Sequence, residues 1–564
     1  MQFNVLTEPW INVLYKDGHV EKVGLRKLYE DAHLISRISD QPHREAAMHR
    51  FLSAFTTDML HLKDEYEWYD VFDNGKFDMA RFDSYINMCR SEGVTFDLFD
   101  PVHPFLVQVY DEEIDGVDAL SSLYTTIDLP SGNNTLHRYQ TPEELFEGFT
   151  PAEILSNIIT TYAYPTASRM PGSVKRKIYT GSPYGSFGFL GGGDQPAFFV
   201  PLGGKEPDLF IAMMHGAISE SDLPALNLSS LNGVPAAWRD LAPMRKYADS
   251  QRGEPITEIS YVAAVFFPVR RIVLGDIVDG KIKYVWFSNG KTIEKGFKLE
   301  WRDPYIAYRC GKKKDKLAYR PVLFTTRKAS WRELSAVTAQ KEDSNCIAPW
   351  VLKHTPVEKA PAIERVLMVS LEPKEQKACY GALLGDEINL PSSLLDDPVR
   401  GELFAESLAV LEDIMDDGRI GKALKDAKDI KGNPIFSKHD LINAKKEYTN
   451  YMEPAYWHKA RTVIFESLIP MLDRPEELTS DDIKEIKNTF SHMVNRREDI
   501  RNPQNNSIIA DAMRRLKMAT VFGNENENER YWAFRDSFEH AANTSLMYYR
   551  GDVEQKKKAK GGKA

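Results

Sequence analysis

The chain has 564 residues, 42% of them hydrophobic and 27% charged, and a formal net charge of −10. That length exceeds what one hydrophobic core usually serves, so two domains are expected, one of them large. The acidic balance argues against a free-standing DNA-binding domain, which is usually basic, but it allows local basic patches because salt screens charges beyond about 10 Å. The longest apolar run, Tyr261 to Val269, is far too short to cross a bilayer. No apolar stretch of signal-peptide type opens the chain, so a cytoplasmic protein is expected. Its four cysteines, Cys89, Cys310, Cys346 and Cys379, are too dispersed for zinc-ligand spacing and read as isolated thiols in a reducing compartment.

In chain order, a strand-like opening, Phe3 to Val13, is broken by a Glu8-Pro9-Trp10 corner. Ala47, Phe51, Phe55 and Met59 recur every four residues and predict a helix over Glu45 to Leu62. Lys63 to Asp83, acidic and aromatic, reads as a loop-rich surface with Trp68, Tyr69 and Phe72. Leu129 to Asn134 is a run of turn formers. Thr150-Pro151-Ala152-Glu153 carries a cap, a first-turn proline and a capping-box glutamate; it predicts a helix with Ile154, Leu155, Ile158, Ile159 and Tyr162 inward, ending near Pro165. Residues 165 to 195, rich in Gly, Ser and Pro, form a long loop region, and loops of that length are often functional. Arg271 to Gly290 reads as β-structure with hairpin turns expected at Asp279-Gly280 and Asn289-Gly290. Past Pro391 only helical periodicity remains, carried by Val399 to Met415, Val463 to Leu472 and Tyr531 to Tyr549, with a polar connector at Gly523 to Asn528. The expected organisation is α+β: a large mixed α/β domain over 1–387, a helical bundle over 388–552 and a basic, disordered tail over 553–564.

Catalytic patterns are sought and not met. Gly290-Lys291-Thr292 lacks the earlier glycine of a phosphate-binding loop, since position 285 is Val285. Gly191-Gly192-Gly193 has no strand-to-helix context, and the serines at 182 and 186 lack the nucleophile-elbow pattern. His439-Asp440 is the one fragment of a metal-dependent nuclease, but it is a lone pair among scattered histidines and reads as a solvated helix start. No catalytic residue, metal or cofactor is therefore expected. The basic elements are Lys312-Lys313-Lys314, which follow a strand candidate at Tyr305 to Cys310, together with Arg270-Arg271, Arg496-Arg497 and Arg514-Arg515. Arg270-Arg271 could equally be a structural ion-pair donor; the others could reach phosphates or simply face solvent, and a charged turn also guards a strand edge from aggregation.

The opening Phe3-Asn4-Val5-Leu6-Thr7-Glu8-Pro9-Trp10 resembles the start of the CasA family, the large subunit of the type I-E CRISPR surveillance complex (Cascade). The likeness continues, in the family's order, through His103-Pro104-Phe105, Ser131 to Asn134, Pro196 to Pro201, Phe267 to Ile272, Arg302-Asp303-Pro304, Ser330-Trp331-Arg332, Leu390-Pro391-Ser392 and Tyr456-Trp457-His458. Each piece alone is weak, whereas the ordered set covers most of the chain.

The resemblance implies an N-terminal α/β domain of unusual fold and a C-terminal four-helix bundle. It implies a non-catalytic subunit that recognises a protospacer-adjacent motif (PAM) in double-stranded DNA, starts unwinding and R-loop formation, and helps recruit a helicase-nuclease. The implied partners are the backbone, guide 5′-end-binding and small subunits of Cascade, the guide RNA and duplex DNA, with no membrane. Gln376 in Leu371 to Lys377 falls on the family's DNA wedge. Lys295, and second Lys291, match its motif-reading lysine. Its glycine loop corresponds to Pro165, Thr166, Ala167, Ser168 and Arg169, which lack glycine, or is replaced by Gly191 to Gly193. Lys312, Lys313 and Lys314 match a turn that would hold phosphates. A loop at Leu129 to Thr141, with Asn133, Asn134, His137, Arg138 and Tyr139, would dock against the guide RNA end or a neighbouring subunit. A diverged metal-dependent nuclease and a purely architectural guide-holding subunit are the alternatives.

Overall fold

The computed structural model describes residues 2–110, 148–164, 196–241, 254–268, 270–293, 302–313, 316–326, 328–338, 346–353, 364–373, 380–496, 506–520 and 525–553. The chain divides into two compact units, the second beginning at Ser393.

The first unit opens with strands β1 (Ile11–Tyr15) and β2 (Val20–Val23), helix α1 (Leu25–Asp31) and strand β3 (Ile35–Ile38). These strands form an antiparallel sheet in the order β2-β1-β3. The stretch before β1 is not a strand: only an isolated bridge joins Asn4 to Asp97, and Trp10 buries its ring and donates Nε1–H to the Val5 carbonyl. Helix α2 (Pro42–Leu60) follows, with every residue buried except Pro42 and Arg44. Its predicted apolar stripe is present, and its other faces are inside as well. A lone buried polar group costs about 1–3 kcal/mol, and most on those faces find partners, although both ring nitrogens of His43 and Nε2 of His49 have none. Glu45 accepts from Arg37, Arg50 donates to Asp303, Tyr29 and Thr56 share a hydroxyl hydrogen bond, and Asp58 accepts from Tyr85 and Arg239.

The expected loop-rich surface at Lys63 to Asp83 is instead helical: α3 (Glu65–Asp73) and α4 (Met79–Ser91). Asp64 caps α3 through the Tyr66 and Glu67 amides, and Asp78 caps α4 through Ala80. Trp68 is fully buried, stacked on Phe72 at 4.9 Å, and donates to the Met214 carbonyl. Helix α5 (Pro151–Ala163) carries the predicted capping box at Thr150 and Glu153, and all five inward residues are buried.

Strand β4 (Phe198–Gly203) and helix α6 (Leu209–Gly216) lead to β5 (Glu254–Ile256) and the short helix α7 (Tyr261–Val265). The β-rich stretch holds β6 (Arg270–Leu274), β7 (Ile277–Val278), β8 (Lys281–Ile282), β9 (Val285–Asn289) and β10 (Lys291–Ile293). Asp279 and Gly280 form the expected β7–β8 hairpin turn with φ of 52° and 75°. Asn289-Gly290 makes no hairpin: β9 pairs with β6, whereas β10 pairs in parallel with β5. Strands β11 (Tyr308–Lys313), β12 (Lys316–Pro321) and β13 (Cys346–Ile347) make a three-stranded sheet, so the strand begins three residues later than expected. The unit ends with β14 (Arg365–Pro373) and β15 (Tyr380–Asn389), which join β4 in an antiparallel sheet of order β15-β14-β4. Helix α2 packs on this sheet and on α5, α6 and α7.

The second unit is a helical bundle whose described helices form four successive runs, the first three of them jointed. The first is α8 (Pro398–Ile414) and α9 (Asp417–Asp426), broken where Asp416 caps the Gly418 and Arg419 amides. The second is α10 (Asp440–Val463), which passes through a π turn (Ile464–Leu468) into α11 (Ile469–Leu472). The third is α12 (Ser480–Val494) and α13 (Ile508–Thr520), and the fourth is α14 (Glu525–Arg550). Glu525 to Asn528, expected as connector, already lie in α14. Among the described residues no helix is long and apolar enough to cross a membrane.

Burial leaves a pH signature in α2. His49 is fully enclosed and its pKa is pushed down from 6.5 to about 3 by burial; His43 is pushed to about 3 by burial and by Arg44. The unfolded chain binds these protons below about pH 6.5 and the folded chain does not, so the stability is complete above that pH and drains away as pH falls towards 3. Urea unfolding should therefore show stability falling between pH 7 and 5.5, at up to about 1.4 kcal/mol per pH unit for each histidine. His49→Leu should remove about half of that slope; a slope equal to the wild type would refute the assignment.

Candidate nucleic-acid interface

The β14–β15 hairpin is the best-anchored element near the expected DNA contacts. β14 is the central strand of its sheet, and Val366 to Leu371 are buried. Its register runs from Arg365 opposite Asn389 to Pro373 opposite Tyr380, with an irregularity at Glu372/Pro373. Glu372 is held at the end of the strand, accepting from the Thr326 amide at 3.1 Å. The expected wedge, Gln376, lies between these two arms in the sequence and outside the described residues.

The other edge of the sheet brings in a second expected segment. β4 pairs with β14 so that Phe198 faces Val369 and Gly203 faces Arg365. Phe198 therefore lies at the end of the sheet from which β14 runs on to Pro373. Tyr164, the residue that closes α5, is fully buried with its ring 5.1 Å from that of Phe198. Pro165 to Arg169 follow Tyr164 directly, and Gly191 to Gly193 precede the start of β4. Both groups lie outside the described residues, as does Gln376; Tyr164 packs on Phe198, which pairs with Val369 in the strand that runs on towards Gln376.

Lys291 is described. Its backbone amide donates to the Pro268 carbonyl, its ammonium lies 3.0 Å from Asp240, and it is 5% exposed. A lysine already engaged with a carboxylate has little left for a DNA groove. It lines a cavity of about 40 Å³ with Arg271, Tyr162 and Gln108, far below the roughly 300 Å³ that a small-molecule site needs. Arg271 is buried at this cavity rather than projecting to solvent. Lys295 lies outside the described residues. Lys312 and Lys313 end β11 opposite Leu317 and Lys316, and Lys314 lies beyond the described arm. Asn133, Asn134, His137, Arg138 and Tyr139 lie outside as well. The residues before and after their segment are tied down: the Gln108 amide donates to the Ile272 carbonyl, and Phe149 exchanges backbone hydrogen bonds with Ile282.

His439 and Asp440 begin α10 as a helix start. Asp440 accepts from the Ser437 hydroxyl and lies 3.5 Å from Arg530, which hold its carboxyl below the usual range. Among the described residues no three His, Cys, Asp or Glu side chains converge as metal ligands. Sequence reading missed Asp240, whose partner is distant in the chain, and Glu372, which no local pattern marks.

The fold has known counterparts. The family model of CRISPR-associated protein Cse1 matches residues 4–496, and the chain belongs to that family. A curated relative, the CRISPR-associated protein CasA/Cse1 of Thermus thermophilus, is 27% identical over 350 residues; the match spans 60% of this chain and 60% of that protein. Cse1 from Acidimicrobium ferrooxidans has the same fold, with a TM-score of 0.68 at 18% identity, covering 97% of this chain and 99% of its own. A chain of a CRISPR RNA-guided surveillance complex superposes with a TM-score of 0.66 at 15% identity, covering 95% and 99%.

The two candidate lysines separate experimentally. Lys291→Met strands Asp240 and should lower stability by about 1–3 kcal/mol in urea unfolding, with little change in motif-dependent duplex binding. Lys295→Ala should leave stability unchanged and weaken that binding; the reverse pattern would exchange their roles.

Proposed function

We propose that this chain is the large, non-catalytic subunit of a type I-E CRISPR surveillance complex. In this reading it inspects duplex DNA for a short flanking motif, begins to open the duplex beside it and presents a surface to the helicase-nuclease that follows. Family membership supports the assembly. The observation that carries the DNA reading is a shared sheet: Tyr164, which precedes the loop expected to approach the minor groove, packs on Phe198 of β4, and β4 pairs with the strand that leads to the expected wedge.

The chemistry follows from that placement. Unstacking one base step costs a few kcal/mol, and it persists only if contacts made at the same moment offset it. Gln376 suits the task as a neutral side chain that can stand beside a base step and hydrogen-bond to base edges. Lysines at 312 to 314 would hold flanking phosphates without reading sequence. Guide pairing then extends from the opened seed, so sequence reading belongs to RNA and motif checking to this subunit. The residues from Asn133 to Tyr139 would dock at the guide RNA's 5′ end or on the subunit that binds it.

Gln376→Ala in the reconstituted complex should slow opening of a motif-bearing duplex by about tenfold while assembly is unchanged, read with a fluorescent base beside the motif; unchanged opening removes the wedge role. Alanine at Lys312, Lys313 and Lys314 should reduce the slope of log affinity against log salt by up to about 2.7, and an unaltered slope would return that turn to plain solvent-facing charge.

A further inference from the structure

The two elements expected to touch DNA are joined by a third that the motif reading does not use. β4 ends its pairing with β14 where Phe198 lies opposite Val369, so residues 370–373 find a strand partner, among the described residues, in β15 alone. A two-stranded ribbon is marginal without further support. Residues 325–336 supply it. The Thr326 amide donates to the Glu372 carboxylate at 3.1 Å, and the Ser330 hydroxyl donates to the Asp386 carboxylate of β15 at 3.2 Å. Asp386 lies opposite Met368, so the two ties sit four residues apart along the ribbon, about 13 Å. One tie takes each strand, and the one on β14 takes it beside the irregularity at Glu372/Pro373, four residues before position 376.

The same segment reaches the lysine-bearing strand. It continues as the short 3₁₀ helix Ser330–Ala336, which packs on β15 and carries Glu333, 7% exposed. One Glu333 oxygen accepts from Arg309 Nε and Nη2 at 2.9 and 2.5 Å; the other lies 2.6 Å from the Lys328 ammonium. Arg309 also donates to the Ser335 hydroxyl. Burial raises the Glu333 pKa, but Lys328 and Arg309 outweigh it and hold the carboxyl below its ordinary value, so it is ionised at neutral pH. Arg309 lies on β11 three residues before Lys312, a step of about 10 Å. A buried carboxylate between two cations holds its place, because releasing either leaves charge without compensation.

We propose that residues 325–336 act as a strut that holds the expected wedge at a set distance from the lysine turn, with Glu333 the positioning residue at one end and Glu372 at the other. Phosphates gripped at Lys312, Lys313 and Lys314 then load the hairpin through Arg309, Glu333 and the strut, so that holding the duplex and opening it are one event. Without the strut the lysines would still hold phosphates, but the hairpin end would no longer be set against them. The inference rests on the wedge and phosphate roles proposed above and adds what joins them.

The test reads duplex affinity and duplex opening separately in the reconstituted complex, with a fluorescent base beside the motif. Glu372→Ala should slow opening by about tenfold, the scale of a lost hydrogen bond to a charged group, while affinity and salt slope stay at wild-type values. Glu372→Gln, which keeps an oxygen for the Thr326 amide, should restore most of the rate. Glu333→Gln should show the same split. Added to the alanine triple at Lys312, Lys313 and Lys314, it should slow opening no further, because the lysines act on the hairpin through it. The strut is overturned by wild-type opening in Glu372→Ala and Glu333→Gln while Gln376→Ala is slow, by affinity and opening that fall together with the melting temperature, or by Glu372→Gln as slow as Glu372→Ala. Should Glu333→Gln unfold, the Glu372 pair decides alone, since that side chain is partly exposed. Wild-type opening in Gln376→Ala would instead remove the wedge role, and the strut with it.

Discussion

Arg50 and Asp303 meet inside the first unit with exposures of 2% and 0%, and their side chains form two parallel hydrogen bonds of 2.8 and 2.6 Å. Charges taken out of water are tolerated only when their geometry is good and their remaining hydrogen-bonding capacity is used. Here the Asp303 carboxylate also accepts from the Tyr305 amide, and the Arg50 guanidinium lies 4.5 Å from the centre of the Phe198 ring and 5.4 Å from that of Tyr305. The pair joins α2 to a segment more than 250 residues away.

The consequences spread through backbone contacts. The Tyr305 carbonyl accepts from the Phe199 amide, and Ile306 bridges to Phe198, so the segment fixed by Asp303 fixes β4. β4 pairs with β14, and β14 with β15. Helix α2 also packs directly on β14. The described arms of the β14–β15 hairpin are thereby braced against α2. The same bracing explains why α2 is buried on every face: it is the post against which the sheet, α5, α6 and α7 are set. A buried ion pair serves positional uniqueness here, since apolar replacements of similar volume would fill the space without specifying a partner.

What could be read from the sequence was what local chemistry decides. The α5 capping box, the Asp279-Gly280 turn, the α2 stripe and the helical character beyond Pro391 are each set by residues within a few positions of one another. The misses have the opposite character. Trp68 lies in an acidic, surface-like stretch, and its partners inside, the Met214 and Ala217 carbonyls and the His215 ring, lie far along the chain. Asn289-Gly290 has a good hairpin composition, but β9 is already committed to β6 and β10 to β5. Lys291 looks like a free cation until Asp240 is placed beside it. At the expected interface the family likeness, rather than any pattern of spacing, singled out Gln376 and Lys295.

The claim that organises the rest is that position 376, carried between the arms of a hairpin braced by α2, meets the first base pair next to the flanking motif. A photo-crosslinking amino acid placed at position 376 of the assembled complex tests this most directly, with a motif-bearing duplex as target. The account predicts crosslinks to nucleotides of that first base pair, lost when the motif is scrambled. Crosslinks confined to protein, or spread evenly along the duplex irrespective of the motif, would contradict it.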